Sequence, residues 1–192
     1  MYKIKIISST VRPSRKGPII AKWITEEVKK HGAFDVELLD LGELDLPLLN
    51  EPNHPRLKQY EHDHTKQWSA KIDEADAFIF VTAEYDYSYP ASLKNALEYL
   101  VHEWAFKPAG IVSYSIGPYA GVRATANLRA DLMWLKIVPL NEAVHIPTID
   151  KFITDGHFKP NEAMVAAKDI MLGQLIRWIK GMTLIRHDKE LY

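Results

Sequence analysis

The sequence predicts a doubly wound α/β fold, a five-stranded parallel sheet with helices on both faces. Two observations carry this. Five short β-branched or aromatic runs alternate with five longer segments of helical periodicity, the pattern of successive βαβ units. Apolar residues make up 47% of the 192 positions and charged ones 26%, a globular mix that can bury a core. Residues 1–192 read as one domain, with no repeat, linker or low-complexity segment.

The first strand is Lys3–Ser8 (KIKIIS), a β-branched run that ends abruptly in hydroxyls. Gly17 and Pro18 suit a helix cap and first turn. Ile19, Ile20, Trp23, Ile24 and Val28 then share one face of a helix over Ile19–Lys30, which His31–Gly32 stops. Val36–Leu41 reads as the second strand and the acidic, Pro-punctuated Gly42–Pro55 as loop. Thr65–Ala75 is the next helix, and Ala77–Thr82 (AFIFVT) the third strand. Ser92–Trp104 is helical, with Leu93, Ala96, Leu97 and Leu100 in register. Strand Ala109–Tyr114 and helix Val122–Leu135 follow. Ile137–Ile146 is the fifth strand despite Pro139. The last helix is Asn161–Gly181, marked by Met164, Ile170, Met171, Leu175 and Trp178.

Two doubly wound strand orders compete for such a chain, a Rossmann half and the flavodoxin-like order 2-1-3-4-5. Five complete units in this length favour the second. In that order ligands sit beyond the carboxyl ends of the strands, where the chain reverses between strands 1 and 3. The loops after strands 1, 3 and 4 must then face a ligand.

The first of these, Ser8–Gly17, is neither GxGxxG nor GxxxxGK[ST]. Dinucleotide fingerprints and the nucleotide-triphosphate loop are both absent. Asp40, placed like a ribose-binding acid, is therefore read as a loop cap. The loop offers hydroxyls, the cations Arg12, Arg15 and Lys16, and backbone N–H groups at a helix start, which suit a terminal phosphate monoester. The second, Thr82–Pro90, sets Tyr85, Tyr87 and Tyr89 just after a buried strand, where aromatics can sandwich a flat ring. The same tyrosines would also suit a dimer interface. The third, Ser113–Gly121, is small and glycine-containing, open to close approach of a ligand. One molecule with a phosphate at one end and a flat polar ring at the other satisfies all three loops. Flavin mononucleotide (FMN) fits that description.

Composition removes other classes. Lys plus Arg number 24 against 25 Asp plus Glu, a formal charge of -1. A general nucleic-acid binder needs a basic face, and a carrier docking by a large acidic field needs the reverse. With no cysteine, thiol chemistry, disulfides and iron–sulfur clusters are excluded, and a reducing cytoplasm is the expected setting. The first seventeen residues lack a signal-peptide pattern, and no stretch reaches the length of a membrane span.

At these loops the sequence closely resembles the NADPH-dependent FMN reductase family of flavodoxin-like quinone, azo-dye and chromate reductases. The resemblance rests on T-V-R-P-S-R-K-G-P, on E-Y-D-Y-S-Y-P-A-S-L-K-N-A-L-E-Y-L, and on K-P-A-G-I-V-S-Y-S followed by G-V-R-A. The stretch H-P-R-L-K-Q-Y-E-H-D-H-T-K-Q-W looks like a subset of the same family. The resemblance implies FMN with its phosphate on Ser9, Thr10, Arg12, Arg15, Lys16, Gly17 and Pro18. The flavin ring would lie against Glu84, Tyr85, Asp86, Ser88 and Tyr89, with Ser113, Tyr114 and Ser115 opposite. It implies a hydride relay from NADPH or NADH through flavin N5 to a quinone or similar acceptor, and a homodimer or homotetramer whose interface borders the flavin. The cofactor carries the reaction, so no separate catalytic residue is expected. An FMN-binding electron carrier and an interaction scaffold without turnover are the alternatives. Two departures stand out. The family's Gly–Ser after strand 1 reads Ser9–Thr10, and its Asn in E-Y-N is Asp86, whose ionised carboxylate would disfavour an anionic reduced flavin.

Other constellations are set aside. His102–Glu103 has no second His one turn on, so the zinc-protease pattern is absent. His62-x-His64, with His54 and Asp63, reads as a His-rich surface segment and no metal site. No nucleophile elbow exists, and Ser113 and Ser115 have no evident base. Trp104, Trp134 and Trp178 are assigned to helix faces or subunit contacts, and Arg123 and Arg129 to helix-surface charges, with contact to a dinucleotide phosphate as the alternative for Arg123.

Overall fold

The structure, a computed structural model, describes residues 1–187. Strands β1 (Tyr2–Ser8), β2 (Phe34–Asp40), β3 (Ala77–Ala83), β4 (Pro108–Tyr114) and β5 (Val138–Ile146) form a parallel sheet in the order β2-β1-β3-β4-β5. This is the expected flavodoxin-like order. Every position of β3 and of β4 is buried, which is why those strands read as unbroken apolar runs and not as alternation.

Helices α1 (Gly17–Lys30) and α6 (Glu162–His187) cover one face. Ile20, Ile24, Met171 and Leu175 pack there against Ile4, Ile6 and Ile79. On the other face lie α3 (Asp63–Asp73), α4 (Ala91–Glu98) and α5 (Val122–Trp134). They bring Trp68, Leu93 and Leu128 onto Ile7, Phe78 and Phe80. A short α2 (Leu41–Leu44) starts where Asp40 Oδ1 accepts the Gly42 N–H at 2.9 Å. Asp40 is thus the expected cap, and it starts a helical turn inside the stretch read as loop.

Three sequence expectations change. The helix expected over Ser92–Trp104 ends at Glu98, and a 3-10 turn at His102–Trp104 follows. This turn drops the Trp104 indole beneath the sheet, with Nε1 donating to Leu97 O at 3.2 Å. In α6 the core face uses Leu172 and Ile179, while Ile170 and Trp178 are 57% and 42% exposed. A 3-10 turn (Ile149–Phe152) and a small antiparallel pair, β6 (Ile153–Thr154) with β7 (His157–Phe158), had no signal in the sequence; Phe158 packs on the middle of α1, edge-on to Trp23.

Pro139 is accommodated because β5 is an edge strand whose register shifts beside it. Arg129 Nη2 donates to Leu140 O and Asn141 O at 2.9 and 2.8 Å. The residue read as a surface charge therefore satisfies carbonyls freed by the irregular pairing.

Lys107 Nζ donates to Ile72 O and Asp73 O, at 2.7 and 2.8 Å, and so caps the last carbonyls of α3. Burial pushes its ammonium down to about 8 from an ordinary 10.5. Between those values the unfolded chain holds a proton that the folded one has released. Stability attributable to this group therefore rises with pH across that window. Urea unfolding at pH 7.5 and 9.5 is expected to show that rise in the wild type and a smaller one in Lys107→Met. Equal pH dependence in both proteins would refute it.

Candidate functional site

The site is built at the carboxyl ends of β1, β3 and β4, where the loop after β1 enters α1. Ser8 closes β1 fully buried, and its Oγ has no hydrogen-bond partner among the described residues. Thr10 Oγ1 accepts from the Tyr114 hydroxyl at 3.5 Å. Burial raises that phenol to about 12, so it stays a neutral donor at physiological pH. These three hydroxyls surround Gly17. A Cβ on Gly17 would lie 2.3 Å from Thr10 Oγ1, 3.1 Å from Tyr114 OH and 3.3 Å from Ser8 Oγ. No side chain caps α1, and Pro18 occupies its first turn. Hydroxyl donors, an open helix N-terminus and a missing side chain make a cradle for a phosphate. The fit of a phosphate-ended cofactor therefore rests on an orphaned hydroxyl and a closely approached glycine.

The three cations of the first loop have separate surroundings. Arg15 is ion-paired with Asp40 and donates to Thr10 O at 2.8 Å, so it ties the loop to the end of β2. Lys16 is paired with Asp150. Arg12 is exposed, and its guanidinium carbon lies 6.0 Å from the centre of the Tyr85 ring. Ser9 is fully buried and acts as a staple. Its N–H donates to Val81 O at 3.0 Å, its Oγ to Thr82 Oγ1 at 3.2 Å, and its carbonyl accepts from Ser92 Oγ.

The loop after β3 folds into a tight hairpin. Tyr85 and Ser88 exchange backbone hydrogen bonds of 2.8 and 2.9 Å, with Asp86 (φ 44°) and Tyr87 (φ 70°) at the turn. Two consecutive positive φ values match the mirror-image turn favoured in two-residue hairpins. Asp86 is exposed at its tip, and no hydrogen bond or ion pair holds its carboxylate among the described residues. Glu84 N–H donates to Tyr114 O at 3.1 Å, which joins this loop to the next. Tyr89 turns away into the α4–α5 layer. It is buried there with its hydroxyl on Asp131, and burial and that carboxylate push the phenol well above its usual range.

The loop after β4 is held tightly as well. Ser113 Oγ donates to Ala120 O at 2.7 Å and sits 2.7 Å from His145 Nδ1. Sequence reasoning found no base beside Ser113, because His145 reaches it only by strand pairing (Ser113↔His145). Burial, then the Arg129 charge, lowers the pKa of that imidazole. Ser113 gives its one hydroxyl proton to Ala120 O, so the pair fixes the loop. Ser115 Oγ donates to Gly117 O at 2.9 Å. At Gly121 (φ 75°) a Cβ would meet Ser113 Cβ at 3.0 Å and Tyr114 N and O at 3.1 Å, so only glycine fits where α5 begins.

Arg123 was expected on the helix surface. Instead it pairs with Glu84 and lies over two rings, 4.0 Å from the Tyr87 centroid and 4.8 Å from Tyr119. Neither contact has a signal in local sequence, since each joins α5 to a loop. His62 and His64 stack with centroids 5.2 Å apart and bond Asn50, far along the chain from the three loops.

Residues 2–151 match the family described as NADPH-dependent FMN reductase. The chain belongs to that family. It is 40% identical to an NAD(P)H-dependent FMN reductase of Schizosaccharomyces pombe over 79% of this chain and 76% of that protein. A quinone reductase of Pseudomonas putida is 29% identical, over 70% of this chain and 72% of its own. Among solved structures, FerB of Paracoccus denitrificans, a flavoenzyme NAD(P)H:(acceptor) oxidoreductase, superposes with a TM-score of 0.76. It covers 95% of this chain and 99% of its own at 22% identity, and shows the shared fold. The family consists of oxidoreductases that use FMN and NAD(P)H. Among the described residues no helix is long and apolar enough to cross a membrane, and no group of three His, Asp or Glu side chains could hold a metal ion.

Proposed function

We propose that this chain is a single-domain, FMN-dependent NAD(P)H oxidoreductase that reduces a quinone or similar small electrophile. The observation that carries this is the hydroxyl cradle of Ser8, Thr10 and Tyr114 around Gly17. In this reading the FMN phosphate takes Ser8, Thr10 and the N–H groups of Lys16 and Gly17, with Arg12, which has no ion-pair partner among the described residues, as its cation. Arg15 and Ser9 hold the loop in shape, and Pro18 presets the first turn. Tyr85, Asp86 and Ser88 border the flavin ring from one side, and the backbone of Ser113–Ser115 from the other. Bound there, FMN supplies hydride acceptance from NADH or NADPH and donation to the acceptor at N5. The chain's own part is to seat, orient and tune it.

A homodimer or homotetramer belongs to the same proposal. It is supported by a groove of about 1210 Å³ on the α4–α5 side, where Leu97, Val101 and Leu135 line the wall and Trp134 is 79% exposed at the lip. A cytoplasmic setting is in keeping with a sequence free of cysteine.

The deciding test is the visible spectrum of the purified protein before and after anaerobic NADPH, then NADH. A flavin band that bleaches and returns on adding a quinone supports the enzyme. A band that neither nucleotide bleaches points to a carrier. No band after soaking in FMN points to a scaffold. Asp86→Asn tests the tuning. Removing a carboxylate near the ring is expected to raise the midpoint potential by about 30 mV, the equivalent of 1.4 kcal/mol for two electrons. An unchanged potential and FMN affinity would refute that role.

A further inference from the structure

The hairpin after β3 is strained, and two side chains on one face of α5 hold it. Asp and Asn tolerate the left-handed region, but a tyrosine there is unfavourable, and such a conformation persists only where surroundings over-determine it. Tyr87 is in that conformation with φ 70° and is 67% exposed, so core packing does not hold it. Two contacts from α5 do. Asn127 Nδ2 donates to Tyr87 O at 2.9 Å. Arg123, one helical turn earlier, lies 4.0 Å from the Tyr87 ring while paired with Glu84 at the other end of the loop. Tyr119 closes the stack from the loop after β4.

We infer that Arg123 and Asn127 are positioning residues, a clamp that keeps the Tyr85–Ser88 hairpin in its ligand-facing shape. Neither needs to touch a ligand. Arg123 also spans the loops after β3 and β4, so one guanidinium sets the spacing of both walls. This inference rests on the proposed seating of the flavin ring beside Tyr85 and Asp86. If the clamp acts by holding a strained turn, glycine at position 87 removes the need for it, since glycine adopts positive φ freely.

The test uses the full chain as apoprotein, titrated with FMN and melted without it, in wild type, Asn127→Ala, Tyr87→Gly and the double variant. Asn127→Ala is expected to weaken FMN binding about tenfold, equivalent to 1.4 kcal/mol, and to lower the apoprotein Tm by about 2–4 °C. In the Tyr87→Gly background both losses are expected to shrink to near nothing. Equal losses in the two backgrounds would overturn the clamp, because a plain lost hydrogen bond is not rescued by glycine. Rescue of the melt with FMN affinity unchanged throughout would show a clamp that positions nothing for the ligand, and would overturn the inference. Wild-type apoprotein that takes up no FMN would instead overturn the flavin reading itself. Arg123→Met, read in the same way against FMN affinity, is expected to match Asn127→Ala in direction.

Discussion

Gly17→Ala is expected to weaken FMN binding at least about a hundredfold, equivalent to 2.7 kcal/mol, while leaving the apoprotein folded. The new methyl carbon would lie 2.3 Å from Thr10 Oγ1, a separation that something must relieve. Thr10 is almost completely buried, so its hydroxyl moves only by leaving the cradle. Tyr114 OH at 3.1 Å and Ser8 Oγ at 3.3 Å leave no room on the other sides. Helix propensity works in the opposite direction, since alanine suits a helix better than glycine. A loss of affinity well beyond the modest loss of Tm that overpacking causes is therefore the signature of a blocked phosphate seat. Fluorescence titration of the apoprotein with FMN, beside a thermal melt, separates the two. Affinity within threefold of wild type would place the phosphate elsewhere.

The largest stability effect is expected at Trp104. Its indole is fully buried, edge-on to Phe78 with centroids 5.0 Å apart and to Trp68 at 5.9 Å, and tilted against Phe80 at 6.3 Å. Truncating a large aromatic in such a place costs about 3–5 kcal/mol, through lost burial and the cavity left behind. For a chain of this size that corresponds to a Tm lower by roughly 6–20 °C. Trp134 is the contrast. At 79% exposure in the single chain, Trp134→Ala is expected to change the unfolding of the dissociated protomer by no more than about 0.5 kcal/mol, as surface substitutions do. Urea denaturation of both variants decides the matter. A Trp104→Ala loss below about 1 kcal/mol would mean the layer between α3, α4 and the sheet can collapse around the gap.

The strands were readable because their physics is local. Ile4, Ile6, Ile79 and Phe80 need only sit in short apolar runs between polar punctuation, and all are fully buried. Strand order followed from chain length and unit count. The proposed phosphate seat was half legible. Ser8, Thr10 and Gly17 all stood in a suggestive loop, whereas the orphaned hydroxyl of Ser8 is a property of three dimensions. Tyr89 looked like its neighbour Tyr85, but the reversal at Asp86–Tyr87 sends the two rings to different layers. Arg123 and Arg129 read as surface charges, and His145 as nothing at all, for one shared reason. Each acts on a partner brought close by strand pairing or helix packing, so periodicity along α5 or β5 carries no trace of it. In α6, apolar residues on both sides of the helix blurred the pattern, and Trp178 was counted inside where Ile179 belongs.

The irregular pairing at the outer edge of the sheet has a consequence for how copies of the chain can meet. An open edge strand ordinarily offers a ladder of free N–H and C=O groups on which another strand can polymerise. Here Pro139 withholds a donor, the register slips beside it, and Arg129 occupies the carbonyls of Leu140 and Asn141. That edge is a poor template. Strand addition is disfavoured along β5, so of the sheet's two edges it is β2, regular from Phe34 to Asp40, that keeps an unbroken ladder.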